Sequence, residues 1–281
     1  MILSSGQSYA QAILPGPHRV TGTLQVDGRL TTSGADGAFF FGTYGSGTLL
    51  PPAGGGTMMF FYPKKAAFRA GATLLNEWDE ASIGNYSMAL GRATLASGES
   101  STALGYQTTA SGNYGSTALG YSSRAIGVYG ATALCWFTEA EGSASFATGY
   151  STKAKGGTST AMGSITQATG GVSTALGGYT IAAGDFSTAL GYFTTARGYM
   201  STVLGRYNAI ETVAPNAGQW VPTDPLFIIG NGDGVSTIPT VKNRNAVVVY
   251  KDGKTDLNGD VKVKGVIRTT VAAGDIQMFE Q

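Results

Sequence analysis

The residues in this 281-residue chain that could do acid–base, nucleophilic or metal chemistry are few and scattered. "DGKTDLNGD" at 252–260 gathers Asp252, Asp256, Asn258 and Asp260, the kind of oxygen cluster that holds calcium. It lacks the alternating Asp order and the closing Glu at the twelfth position of such a loop, so it reads as a hairpin turn. "GNGDG" at 230–234 is rich enough in glycine to cradle a phosphate. No helical pattern follows it to present N-terminal amides, and it too reads as a turn. "NEWDE" at 76–80 sets Glu77, Asp79 and Glu80 side by side. Paired carboxylates work as acid and base only inside a cleft, so this stretch reads as a solvated capping turn. One histidine, His18 in "LPGPHRV", and one cysteine, Cys135, are all that imidazole or thiol chemistry has to draw on. A single thiol allows no internal disulfide. No catalytic residue, metal site or cofactor is expected, and the chain does not read as an enzyme.

Composition excludes further classes. Lys and Arg number 18 against 17 Asp and Glu, so no global field steers the chain toward nucleic acid or an anionic membrane. Charged residues make up 12%, about half the usual ~25%, and 43 glycines are about twice the usual share. With 42% hydrophobic residues the chain is too apolar for disorder, which leaves a repetitive β architecture. No run approaches the ~20 apolar residues of a membrane helix, so no membrane insertion is expected. The start, "MILSSGQSYAQAIL", has neither the basic beginning nor the apolar run of a secretory signal; no signal peptide is visible.

What must position any functional residue here is a repeat. Ser-x-Ala-Leu-Gly units start at Ser87, Ser101, Ser116, Ala131, Ser145, Ser159, Ser173, Ser187 and Ser201, with steps of 14 or 15 residues. A second half, Thr-x-Ala-x-Gly, places Ala at 96, 110, 125, 140, 154, 168, 182 and 196, and Gly two residues after each. Fourteen is also two heptads, but two glycines per unit would each cost a helix about 1 kcal/mol, and the flanking charges of a coiled coil are missing. Alternation of period two fits instead: two short strands per turn of a solenoid, with Ser, Ala and Gly on one face and Thr and Leu on the other.

Each row predicts an environment. Ala89, Ala103, Ala118, Ala133, Ala147, Ala161, Ala175 and Ala189 are uniformly small, as the interior of a thin coil requires; Val203 is the exception. Leu90, Leu104, Leu119, Leu134, Met162, Leu176, Leu190 and Leu204 form an apolar stripe on the opposite face, interrupted by Thr148. Soluble monomers avoid such stripes, so this one is expected to be buried against another chain. The second strand carries Leu95, Thr109, Arg124, Glu139, Lys153, Gln167, Ile181 and Thr195 in the equivalent place, a variable, mostly polar row suited to solvent. Its charges also rule out the flat threonine array of an ice-binding face. At the turn after the first strand, Tyr106, Tyr121, Trp136, Tyr150 and Tyr192 stack coil on coil, joined in the next row by Phe137, Tyr179, Phe193 and Tyr207. This ladder is either a ligand edge for a glycan or extended protein, or a surface packed on a neighbouring chain. The rings thin out at Ser164 and Gly178.

Over residues 82–210 this pattern resembles the head of the YadA-like trimeric autotransporter adhesins, which repeat Ser-x-Ala-Ile/Leu-Gly about every 14 residues. The resemblance implies an all-β fold, a left-handed parallel β-roll in an obligate homotrimer. It also implies a role in display and adhesion, toward a host glycan or surface protein, at an extracellular or particle surface. The Leu row then becomes a trimer interface. The lead-in "AAFRAGATLLNEWDEASIGNYSMALG" (66–91) resembles the segment that opens such heads. Residues 206–281 depart from the family, with neither stalk heptads nor four amphipathic membrane strands. Their "DPLFIIGNGDGVSTIPTVKNRNAVVVYKDGKTDLNGDVKVKG" is similar to β-hairpin modules of phage tail fibres, and "VTGTLQVDGRLTTSG" (20–34) has the same character. The expected organisation is a β-rich attachment segment at 1–56, a cap at 57–83, the roll at 84–210 and β-hairpin or β-prism segments at 211–281. A shaft or distal component of a phage-like fibre, docked through the N-terminal segment, is the alternative role.

Overall fold

The structure, a computed structural model, describes residues 42–47, 54–210, 214–235, 237, 242–262 and 264. Most of the expected attachment segment, including His18, lies outside these residues.

Between residues 84 and 210 the chain winds a parallel β-solenoid. Each coil has a five-residue strand, a turn, a two-residue strand and a second turn. The long strands run from Met88–Arg92 through Thr102–Tyr106 and Thr117–Tyr121 to Thr202–Arg206, each hydrogen-bonded to the next in parallel. The short strands, Leu95–Ala96 to Thr195–Ala196, form a separate eight-stranded parallel sheet. Register is constant: Ala103 pairs with Ala118, Ala118 with Ala133, and Ala161 with Ala175.

The interior is filled by small side chains from both sheets. Ala89, Ala103, Ala118, Ala133, Ala147, Ala161, Ala175 and Ala189 face their short-strand counterparts, all wholly buried. Serine begins each unit for a reason of hydrogen bonding. At the corner, Ser101, Ser159 and Ser173 each donate to the carbonyl of the glycine three residues earlier at 2.7 Å. The glycine ending the short-strand half is forced by the next coil: a Cβ on Gly98 would sit 2.0 Å from the carbonyl oxygen of Gly112.

The glycine of the long strand does not share the inner face with Ser and Ala, as alternation had suggested. Gly105 and Gly177 adopt φ near +120°, and a Cβ there would point along the roll into the next coil's carbonyl, 2.0–2.1 Å away. The alternation breaks because the strand turns at this residue. The two 15-residue coils absorb their extra residue in the other turn: Gly115, at φ +87°, donates to Glu99 where Ser100 donates to Asn85. Strand register is therefore kept.

Both ends of the roll are closed by larger residues. Before the first coil, a hairpin pairs Gly56–Tyr62 with Ala67–Thr73, and the second of these strands continues the long-strand sheet in parallel. Arg69 lies opposite Ala89, in the alanine row. Wholly buried, it donates to the carbonyls of Phe68, Ser87 and Ala96 and to the Ser87 hydroxyl. Burial presses its guanidinium down to about 10, so it remains charged at neutral pH. Trp78 completes this plug, wholly buried with its indole N–H on the Thr94 carbonyl at 2.9 Å. At the far end the sheet continues past residue 210. Pro225–Asn231 adds in parallel to Thr202–Arg206, and Asn245–Tyr250 and Thr255–Leu257 follow antiparallel. The alanine row ends in Val203, Ile228 and Val248, so the interior closes on branched side chains.

Candidate functional site

The stretches with chemical potential are used structurally. Glu77 accepts hydrogen bonds from the amides of Leu74 and Leu75 and the Thr73 hydroxyl; Glu80 accepts from Tyr62 and pairs with Lys64. Burial alone would raise both carboxyls, but these donors outweigh it and hold them below the ordinary range. Gly230 and Asn231 end the strand Pro225–Asn231 rather than forming a free turn, while Asp233 turns the chain by accepting from the Val235 amide. Asp252 and Asp256 flank a hairpin turn, with Asp252 bonded to the Lys254 amide and Asp256 to Tyr250. Among the described residues no group of His, Cys, Asp and Glu could hold a metal ion.

What the fold presents instead is surface, divided by charge. The outward face of the long strands carries the Leu row in register: Leu90 opposite Leu104, then Leu119 and Leu134, and Met162 opposite Leu176, then Leu190. In the single chain these side chains are half-buried, and Met162 is 40% exposed. Beside them runs a parallel row of Thr102, Thr117, Thr132, Thr160, Thr174, Thr188 and Thr202. From Met88 to Leu204 neither outward row contains a charged residue. The short-strand face is the opposite. There Glu139 bridges Lys153 at 3.0 Å and Arg124 at 3.7 Å, and Glu141 pairs with Lys155 at 3.6 Å.

The turn between these faces carries the ring ladder. Tyr106 stacks on Tyr121 with centroids 5.0 Å apart, and Tyr121 on Trp136 at 5.2 Å. Arg92 caps the stack 5.4 Å from the Tyr106 ring, and Tyr150 joins edgewise through Phe137. The ladder breaks at Ser164 and Gly178, then resumes as Tyr179, Phe193 and Tyr207, stacked at 4.3 and 4.8 Å with Tyr192 edge-on to all three. Gly178 is where Tyr192 leans: a Cβ would lie 2.9 Å from that ring. In the late stack Phe193 lies face to face with both Tyr179 and Tyr207, so it offers solvent mainly its rim.

Sequence reasoning missed three features. The opposite turn edge also bears rings, with Tyr44 stacked on Tyr86 and Tyr114 on Tyr129; the residues just before each unit's serine were the available signal. Lys251 is enclosed beside Trp220 and Tyr199, its ammonium 5.2 and 5.9 Å from their rings and 3.8 Å from Asp224. Burial lowers its pKa against the pull of Asp224. The third is a groove of about 460 Å³ at the C-terminal end of the short-strand face. One side is the turn row Ile165, Tyr179, Phe193 and Tyr207; another is the short-strand row Gln167, Ile181 and Thr195. The returning chain contributes Gly234, Lys242 and Asn243. No sequence pattern joins residues 165–210 to 234–243.

Coils of 14–15 residues, two sheets of parallel strands through the roll and a thin alanine interior define a β-solenoid. The YadA head domain repeat is matched at residues 82–108, 96–123, 140–164 and 168–194. Over these stretches the chain is similar to the YadA head domain repeat. No curated protein is matched by the chain.

Proposed function

We propose that the chain is a non-enzymatic, homotrimeric adhesin or fibre head that mediates attachment at an extracellular or particle surface, its roll left-handed and its flanks joined in the trimer. The observation that carries this reading is the division of charge. A regular apolar stripe on one face of the roll, with every ion pair of the roll on the other, is what a soluble chain needs when one face is buried against copies of itself. The matched head repeats support adhesion as the role. A rigid shaft within a fibre is the second reading, favoured by the way Pro225–Asn231 extends the long-strand sheet from the roll into the next segment.

Light scattering tests the assembly. The expected mass is three times the 28.8 kDa protomer. Leu119→Asp should dissociate or misfold it, because each copy would bring an unpaired carboxylate into an uncharged contact, at a cost of about 3–5 kcal/mol. A wild-type chain that stays monomeric at micromolar concentration overturns the proposal. Adhesion to cells or matrix by the intact assembly, and its absence, separate the adhesin from the shaft.

A further inference from the structure

We propose that the groove at the C-terminal end of the short-strand face binds a carboxylate-bearing sugar at the end of a glycan. The proposal rests on the adhesive reading and gives it a site and a ligand class.

Size and lining come first. A groove of about 460 Å³ lies in the range that small ligands occupy, roughly 300–1,000 Å³. Ile165 and Ile181 give apolar surface for the C–H face of a pyranose, the rims of Tyr179, Phe193 and Tyr207 border it, and Gln167, Thr195 and Asn243 give hydrogen-bonding groups for its hydroxyls. The groove belongs to the charged side of the roll, so packing three copies through the Leu row leaves it open.

Charge then selects the ligand. Among the described residues the lining contains Lys242 and no Asp or Glu. Two further cations stand at the same end: Arg206, donating to the carbonyls of Gly232 and Asp233, and Arg244, donating to Asn231. The neighbouring carboxylate, Asp233, accepts from the Val235 amide. Aromatic rims carry the positive end of the ring quadrupole, and a rim is what Phe193 has to offer. An anionic ligand fits this end of the roll.

The sheet edge argues for a sugar over an acidic peptide. Thr195–Ala196 is the last short strand, and its free edge would ordinarily accept an added strand. Asn208 blocks that: its side-chain oxygen accepts from the Thr195 amide at 2.8 Å, and its side-chain nitrogen donates to the Thr195 carbonyl at 3.1 Å. One buried amide thus does what a further strand would do. The Ala209 amide is likewise held by Asn245 at 2.9 Å. A peptide backbone would find these main-chain partners taken, whereas a sugar needs none of them.

The test uses the full chain and two probes that differ only in the carboxylate, methyl β-D-glucuronide and methyl β-D-glucoside, read by ligand-observed NMR titration at low salt. The glucuronide should bind about tenfold more tightly, the scale of one charge-assisted hydrogen bond. Lys242→Met should remove that preference. Ile181→Glu, on the solvent face of a two-residue strand, should abolish binding of both probes while leaving the melting temperature unchanged. Equal affinity for the two probes, indifference to either substitution, or preferential binding of an acidic peptide overturns the proposal. If both groove variants adhere to cells as wild type does, the site is wrong and the adhesive reading stands. If wild type adheres to nothing yet binds the glucuronide at this groove, the adhesive reading fails and the site stands.

Discussion

Gly170 tests the idea that coil-to-coil spacing, rather than backbone freedom, dictates the glycines of the short-strand half. A Cβ built on Gly170 would lie 2.1 Å from the Gly184 carbonyl oxygen and 2.4 Å from its carbon. The partner is backbone and cannot swing aside, so Gly170→Ala has to open the spacing between two coils by about 1 Å, out of roughly 4.8 Å. That corner is tied by the Gly170 amide to the Ala182 carbonyl at 3.2 Å and the Ser173 amide to the Gly170 carbonyl at 3.3 Å. Losing both contributes about 2 kcal/mol, and the strain of overpacking adds about 1–3. Gly157→Ala is the matched control, since its Cβ would meet nothing within 4 Å. By stiffening the unfolded chain it should be neutral or stabilising by up to about 1 kcal/mol. A separation of at least ~3 kcal/mol corresponds to roughly 6–12 °C for a domain of this size. Calorimetry at one protomer concentration measures it, which matters because an assembling protein melts in a concentration-dependent way. Two variants melting within 2 °C of each other would refute the packing argument.

The alanine row and the charge ladder give two further expectations. Ala161→Phe places a ring in a fully buried position of the interior and should destabilise by about 3 kcal/mol or more, whereas Gln167→Ala on the short-strand face should stay within about 0.5; equal melting temperatures would mean the faces are assigned backwards. Burial would raise the Glu139 carboxyl, but the hydrogen bond and charge of Lys153, with Arg124 behind it, hold it below the ordinary range. A carboxyl lowered by folding stabilises the fold above its unfolded pKa and loses that contribution as pH falls through the folded value. The advantage of wild type over Glu139→Gln should therefore be present at pH 7 and vanish in acid, and a gap that widens on acidification would contradict the ion-pair geometry.

The roll was legible because a parallel solenoid returns the same residue to the same environment every coil. Ala103, Ala118 and Ala133 repeat since they share one interior, and Ser101 and Ser173 repeat since each closes the same corner. Beyond the cap expected at 57–83, how the ends close was not legible, for the same reason inverted. Arg69 takes the alanine row at the terminal coil, where its guanidinium adds a second donor to the Ser87 and Ala96 carbonyls beside the Phe68 and Gly84 amides, a role no repeat position has. The strand Pro225–Asn231 lacks the Ser-x-Ala-Leu-Gly pattern because no full coil follows it, and its place is visible only as Val203 opposite Ile228. The groove escaped because its lining comes from turn, short strand and returning chain, which share no spacing.

The ladder's break has a backbone cause. At this turn each coil places a residue with a side chain at positive φ: Gln107, Ser122, Phe137, Ser151, Ile165, Tyr179, Phe193 and Tyr207 all lie between 42° and 55°. For a residue with a side chain this conformation costs roughly 1–2 kcal/mol, repeated coil after coil. Ring pairs return about 0.5–1.5 kcal/mol each beyond their buried area, which is enough to offset much of that strain. In the early coils the rings stand one residue before the strained position, at Tyr106, Tyr121, Trp136 and Tyr150; in the late coils they stand on it, at Tyr179, Phe193 and Tyr207. Ser164, Ile165 and Gly178 mark the coils where the stack changes rows. Phe193, between Tyr179 and Tyr207, has both ring faces engaged in fastening neighbouring turns. After the row change the rings reach the side of the short strands, and it is there, beside Ile181 and Lys242, that they border the groove. The same residues thus hold the turns in place and border the surface on which a ligand can rest.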